Sequence, residues 1–155
     1  MIIKNRDELS TTRLRKQALD ILESAINRVL PPNVMKSALR YEPSKRMLTV
    51  NGDTYSLSRG RLFVIGGGKA SSFMAETLET IIPPDNISAG VINSKSEDHK
   101  TNKIKIVPAG HPIPDQRGIS GAKEMFALKE HYSINERDLI LCLISGGGSA
   151  LMPYP

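Results

Sequence analysis

Apolar residues at Leu14, Ala18, Leu22, Ala25, Ile26 and Val29 recur three and four positions apart, the spacing of one face of a helix. This periodicity predicts an amphipathic helix over residues 10–30, ended by Pro31-Pro32, since proline lacks the amide that would continue the ladder. A second, short helix is expected over residues 33–39. Segments 47–50 and 54–57 flank Asn51-Gly52-Asp53, and Asn-Gly between two such runs marks a tight hairpin. From residue 61 the pattern changes. Apolar runs at 61–65, 87–92, 103–107 and 138–144 are interspersed with helical stretches at 70–82 and 120–131. That alternation predicts an α/β fold, a Rossmann-like three-layer α/β/α arrangement around a mostly parallel sheet.

Residues 1–60 then form helices and a small hairpin flanking the main sheet, and residues 61–155 form the first part of the α/β unit. The last apolar run is followed by only a few residues, too few for a crossover helix and a returning strand. The layer is therefore expected to be incomplete in this chain, and the chain to be one piece of a larger polypeptide.

The bulk numbers exclude several classes. With 155 residues, 39% hydrophobic and 24% charged, the chain has the size and balance of one ordinary globular domain. No apolar run approaches the roughly 20 residues of a membrane span, and Met1-Ile2-Ile3-Lys4-Asn5-Arg6-Asp7 lacks a signal's apolar stretch, so cytoplasmic residence is expected. The net charge of +5 is spread along the chain, and aromatics make up only 5% with no Trp, which disfavours a nucleic-acid partner. Cys142, the single cysteine, lies within an apolar run and reads as a small buried hydrophobe. His99, His111 and His131 are too scattered for a zinc site, and no metal ligand can be named.

The candidate chemistry lies in two glycine-rich segments, Gly66-Gly67-Gly68-Lys69-Ala70-Ser71 and Ser145-Gly146-Gly147-Gly148-Ser149, each directly after an apolar run. Glycines without Cβ atoms let backbone amides approach an anion, and a following helix N-terminus favours negative charge. Neither segment fits the P-loop or the dinucleotide fingerprint. Lys69 is the strongest single candidate, as a cation against a transferring phosphate or a substrate carboxylate; the alternative is a solvated lysine at a helix start. Ser71, Ser145 and Ser149 supply hydroxyls, although Ser71 and Ser149 also suit ordinary helix caps. Between the two segments lies Gly110-His111-Pro112-Ile113-Pro114-Asp115-Gln116-Arg117, a proline-stiffened loop that would present His111, Asp115 and Arg117 to the crevice. Asp115 could equally bond local amides.

Three motifs, Val64-Ile65-Gly66-Gly67-Gly68-Lys69-Ala70, Gly110-His111-Pro112-Ile113-Pro114-Asp115 and Leu143-Ile144-Ser145-Gly146-Gly147-Gly148-Ser149-Ala150-Leu151, resemble in kind and order the N-terminal signatures of the glycerate 2-kinase family, some members of which bear the name hydroxypyruvate reductase. The resemblance covers the whole chain but only the first part of the family's length, which continues into a C-terminal domain called MOFRL, absent from this chain. It implies ATP-dependent phosphorylation of D-glycerate to 2-phosphoglycerate with Mg2+, in a cleft between two domains. Lys69 and Asp115 would then be catalytic, and Gly66, Gly67, Gly68, Ser71, His111, Ser145, Gly146, Gly147, Gly148 and Ser149 would bind substrate or nucleotide. The partners implied are the small-molecule substrate and the remainder of the same polypeptide, with homo-oligomerisation left open. The competing readings are an NAD(P)H-dependent hydroxypyruvate reductase, which the missing dinucleotide fingerprint does not support, and a non-catalytic ligand-binding or scaffold piece.

Overall fold

The computed structural model describes residues 2–154. A short helix α1 (Arg6–Leu9) leads into α2 (Arg13–Val29), whose first turn is capped by Thr12 accepting from the Arg15 amide. The two prolines that stop α2 start α3 (Pro31–Ala38) from its first positions, where an amide would have no partner anyway. A small antiparallel sheet follows, with β1 (Leu39–Glu42), β2 (Met47–Val50) and β3 (Asp53–Ser56) in that order. Its β2–β3 hairpin turns at Asn51 and Gly52, both at positive φ, which matches the right-handed twist of the flanking strands. Strand β1 is an element the sequence reading did not include.

The main sheet is fully parallel, formed by β4 (Leu62–Gly68), β5 (Ala89–Ser94), β6 (Ile104–Pro108) and β7 (Leu139–Ile144) in the order β6-β5-β4-β7. Numbered within the sheet this is 3-2-1-4, the order of a doubly wound nucleotide-type half, as the alternating pattern predicts. Helix α4 (Ser71–Ile81) covers one face and α5 (Gln116–His131) the other. A final turn, α6 (Gly148–Leu151), closes the described chain.

Packing explains which residues the pattern selected. On the α4 face, Leu62, Val64, Ile92, Ile104 and Leu143 from the sheet join Ala75, Leu78 and Ile82, and the same core takes in Met35, Tyr41, Leu48 and Leu57 from the N-terminal segment. On the α5 face, Val91, Val107 and Leu128 pack with Ile65 and Met125, and the Phe63 ring sits 5.3 Å from that of Tyr132. The connection between β5 and β6 has no helix, as the absence of a helical stretch between runs 87–92 and 103–107 predicts. Instead the Glu79 carboxylate of α4 accepts from the amides of Asn102, Lys103 and Ile104, and Glu76 accepts from Lys100 and bonds His99. Two carboxylates on one helix thus satisfy loop amides that a crossover helix would have satisfied internally.

Two expectations fail, and for the same reason. Strand β7 is an edge strand with Ile140 and Ile144 exposed, so Cys142, on the same face, is exposed rather than buried. Helix α2 forms as predicted, yet its apolar stripe faces outward, with Leu14 76%, Ile21 72% and Val29 71% exposed; the half-buried side carries Leu19, Glu23, Ile26 and Leu30. Periodicity reveals an apolar face, not what stands opposite it.

At the end of the sheet remote from the strands' carboxyl termini, the buried Asp138 joins β7 to β4. Its carboxylate accepts from Arg61 Nε and Nη2 at 3.1 and 2.7 Å, from the Arg61 amide and from the Asn135 amide. The Arg61 guanidinium above all, with these amides, holds the Asp138 carboxyl well below the usual carboxylate range against the opposing effect of burial. A depressed pKa adds stability that is fully present above the unfolded value of about 4 and is lost as pH falls towards the folded one. Asp138→Asn is accordingly expected to cost about 2 kcal/mol at pH 7 and to show a shallower loss of Tm between pH 5 and pH 2 in thermal unfolding; parallel acid profiles would refute the assignment.

Candidate functional site

In an open parallel sheet ligands bind beyond the carboxyl ends of the strands, where successive connections depart to opposite sides. Here that point lies between β4 and β7. The sequence reading placed a turn at Gly66-Gly67-Gly68; instead β4 runs straight through Gly68, with Gly66 and Gly67 paired to β5 and β7 and Gly68 to β5. The glycines serve close approach. A methyl group on Gly66 would stand 2.2 Å from the Leu143 carbonyl oxygen, and one on Gly68 2.1 Å from Ser145 Oγ. Without side chains, the end of β4 lies flush against the end of β7.

That contact builds the site. The Ser145 hydroxyl accepts from the Ala70 amide at 3.0 Å, the Lys69 amide donates to the Gly146 carbonyl at 2.9 Å, and the Ser145 amide donates to the Gly67 carbonyl at 3.3 Å. The two glycine-rich segments are thus stitched together across 75 residues of sequence. Helix α4 begins immediately, and Ala70 at its N-cap gives no side-chain cap, so the first-turn amides retain capacity for an anion. Lys69 is exposed, and its ammonium has no ion-pair partner among the described residues. Its aliphatic stem lies along Gly146 and Gly147.

The proline-stiffened loop enters from the other side. A methyl group on Gly147 would lie 2.8 Å from His111 Nε2 and 3.4 Å from Lys69 Cγ, so the imidazole and the lysine stem flank one point on the Ser145-Gly146-Gly147 turn. The φ of +87° at Gly147 also disfavours any side chain there. Lys69, His111, Ser145, Gly146 and Gly147 are therefore brought together as the sequence suggested. Gly148 is buried against the Gly67 carbonyl, and Ser149 is exposed on α6.

Other candidates are occupied elsewhere. Ser71 is fully buried and donates its hydroxyl to the Leu143 carbonyl at 3.2 Å, bracing α4 against β7. Asp115 is the N-cap of α5, accepting from the Gly118 amide, and Arg117 donates to it at 2.7 Å. The Gly110 and Gly118 amides, with Arg117, lower its carboxyl to about 2. The Gly118 amide and the Arg117 guanidinium thus hold Asp115 at the start of α5. This cap also starts α5 at Gln116, four residues before the helical pattern was recognised. His99 bonds Glu76 and stacks on Phe73 in the β5–β6 connection, outside the His111–Lys69 cluster.

The sequence reading missed Asn93. Fully buried at the end of β5, it donates to the Gly118 carbonyl of α5 at 2.8 Å and to the Leu151 carbonyl of α6 at 2.7 Å. It thereby ties together the elements that follow the His111 loop and the Ser145 turn. The signal was present: Asn93 and Ser94 finish an otherwise apolar run, and the Ser94 hydroxyl donates to Ser72 on α4 at 3.0 Å.

The cluster fits a phosphate or carboxylate: a cation, a turn of small residues, an uncapped helix start and an imidazole. It does not by itself fit a divalent cation, because no three His, Cys, Asp or Glu side chains converge among the described residues. Nor is any described helix long and apolar enough to cross a membrane.

Residues 17–155 match the family model described as a domain of unknown function, DUF4147. The chain belongs to the DUF4147 family. A relative in Pyrococcus horikoshii named glycerate 2-kinase is 34% identical over 143 residues, covering 92% of this chain and 31% of that protein. Two solved structures agree with the fold. A protein from Pyrococcus horikoshii superposes with a TM-score of 0.76 at 34% identity, covering 94% of this chain and 32% of that one, and a glycerate kinase from Thermotoga maritima with 0.67 at 28%, covering 92% and 30%. The resemblance stated from the three motifs is borne out, and this DUF4147 chain spans about a third of the length of those relatives.

If the Gly147 turn is a ligand wall, Gly147→Ala should both strain the backbone, by about 1–2 kcal/mol, and displace His111. A fall in Tm together with loss of pyrophosphate binding in isothermal titration is the expected result. A lowered Tm with binding intact would make the turn purely structural.

Proposed function

We propose that the polypeptide carrying this chain is a glycerate 2-kinase that transfers a phosphoryl group from ATP to the 2-hydroxyl of D-glycerate, in the cytoplasm. The observation that carries this reading is the convergence of Lys69, His111 and the Ser145-Gly146-Gly147 turn at the β4/β7 switch point, in a chain several of whose relatives are named glycerate kinases, while others in Agrobacterium vitis are named putative hydroxypyruvate reductases. Phosphoryl transfer needs little covalent chemistry from the protein; positioning and neutralisation of charge on the transferring group supply most of the rate. The groups gathered here are of that kind.

In this reading the Lys69 ammonium neutralises the transferring group or the substrate carboxylate. The amides of the Ser145 turn and the start of α4 hold an anion, and the His111 edge limits where that anion sits. Asp115, Ser71 and Asn93 act through the shape of the loops they bond. Mg2+ belongs to the reading through the chemistry of ATP, which presents the metal largely through its own phosphates; no three His, Cys, Asp or Glu side chains converge among the described residues, and none is assigned to the ion. The flanking segment 1–60 and the α/β unit would supply one wall of the cleft, and a second, MOFRL-type domain the other.

The test is phosphorus NMR of the full-length protein with ATP, Mg2+ and D-glycerate, run beside an assay of NADH oxidation with hydroxypyruvate. Appearance of 2-phosphoglycerate with no NADH consumption is expected, and Lys69→Met should lower kcat/KM by about 100-fold or more with Tm nearly unchanged. NADH consumption with ATP intact would replace the kinase by the reductase, and an unaltered rate in Lys69→Met would remove Lys69 from the machinery.

A further inference from the structure

The cluster at the β4/β7 switch point holds one lysine, and the strand register supplies a second. Gly68 pairs with Ser94 at the carboxyl ends of β4 and β5. Lys69 and Lys95, the residues that follow, therefore leave neighbouring strands at the same level, about 4.8 Å apart at the backbone. Strand β5 lies between β4 and β6, and Ser94 pairs in turn with Pro108, whose strand leads into the His111 loop. Across this end of the sheet the order is thus the root of the His111 loop, Lys95, Lys69 and the Ser145 turn. Resting on the kinase reading, we propose that Lys95 is a second anion-binding residue of the site and that it holds the phosphate chain of the nucleotide.

The backbone that carries Lys95 is fixed on three sides. On one face of β5 the Asn93 amide group donates to α5 and α6. On the other, the Ser94 hydroxyl donates to Ser72 in the first turn of α4 at 3.0 Å. The Ser94 carbonyl, part of the peptide unit that joins Ser94 to Lys95, accepts from the Ala109 amide at 2.8 Å. Lys95 therefore starts beside the first turn of α4, the same turn that Lys69 precedes and that no side chain caps. No glycine run or motif marks Lys95 in the sequence; only the pairing of β4 with β5 brings it to Lys69.

Charge points to the kind of ligand. The α4 carboxylates nearest the β5–β6 connection are engaged elsewhere, Glu76 by His99 and the Lys100 amide and Glu79 by the amides of Asn102, Lys103 and Ile104. Lys95, like Lys69, forms no ion pair among the described residues, and neither Glu97 nor Asp98 is paired with it. Two ammonium groups rooted side by side repel unless an anion lies between them. D-glycerate offers one carboxylate, which a single ammonium neutralises. The phosphate chain of ATP carries negative charge on successive groups, and lysine serves phosphate as a compact point charge. Two lysines one strand apart match the chain of phosphates better than the acid.

The test combines titration and kinetics of the full-length protein. Isothermal titration with pyrophosphate should show Lys95→Met weakening binding by about tenfold, with Tm nearly unchanged and a shallower fall of affinity with salt than in the wild type. Lys95→Arg, which keeps the charge, should restore most of that affinity. In steady-state assays Lys95→Met should raise KM for ATP by a similar factor and leave KM for D-glycerate as it was. Unaltered pyrophosphate affinity in Lys95→Met would overturn the assignment. A raised KM for D-glycerate with that for ATP unchanged would also overturn it, since the lysine would then serve the acid. A parent protein that makes no 2-phosphoglycerate would remove the kinase reading, while the pyrophosphate titration would still report on Lys95.

Discussion

The structure depends on one close contact, the meeting of the carboxyl ends of β4 and β7 across Gly66, Gly67 and Gly68. Any side chain at Gly66 or Gly68 would drive into the Leu143 carbonyl or the Ser145 side chain, and the strands would have to part. With the glycines in place, the Ser145 hydroxyl reaches the Ala70 amide and the Gly146 carbonyl reaches the Lys69 amide. The lysine, the turn and the start of α4 are thereby positioned by backbone geometry rather than by flexible side chains. A site built this way needs little reorganisation when charge develops within it, the condition under which fixed dipoles and cations are most effective.

The remote end of the same pair of strands is held by different physics. There Arg61 and Asp138 form a multiply hydrogen-bonded ion pair with one partner buried, and removing either member would leave an uncompensated charge. Glycine contact at one end and the ion pair at the other together define the register of β7 against β4. Asn93 extends the arrangement sideways, since its amide group spans α5 and α6 from the neighbouring strand. The Oδ1 atom of Asn93 is buried against Gly121 with no hydrogen-bond partner among the described residues, a cost tolerated where the two donated bonds set loop positions.

Much of this was legible in the sequence because it is local. Periodicity marked α2, α4 and the four parallel strands, Asn51-Gly52 marked the hairpin, and the three motifs marked segments that meet at one end of the sheet. What was not legible depended on partners distant in sequence. The Gly66-Gly67-Gly68 run resembles a turn until Leu143 and Ser145 are seen to need the space, and the start of α5 at Gln116 shows only once the Asp115 side chain is seen to accept from the Gly118 amide. Cys142 reads as core in any apolar strand, and only the sheet order reveals an edge.

The same distinction separates α2 from α4. Both carry apolar stripes, but Ala75 and Leu78 of α4 are buried against the sheet while Leu14, Ile21 and Val29 of α2 are not. Burying such a stripe is worth roughly 25 cal/mol per Å² of apolar surface, so its pattern states that burial is available without naming the partner. The Arg6 contacts to Asp20 and Glu23 hold the polar side of α2 to its own chain and leave the apolar side facing out. The pattern that marks the two helices is therefore of one kind, and the elements packed against each decide which stripe is buried.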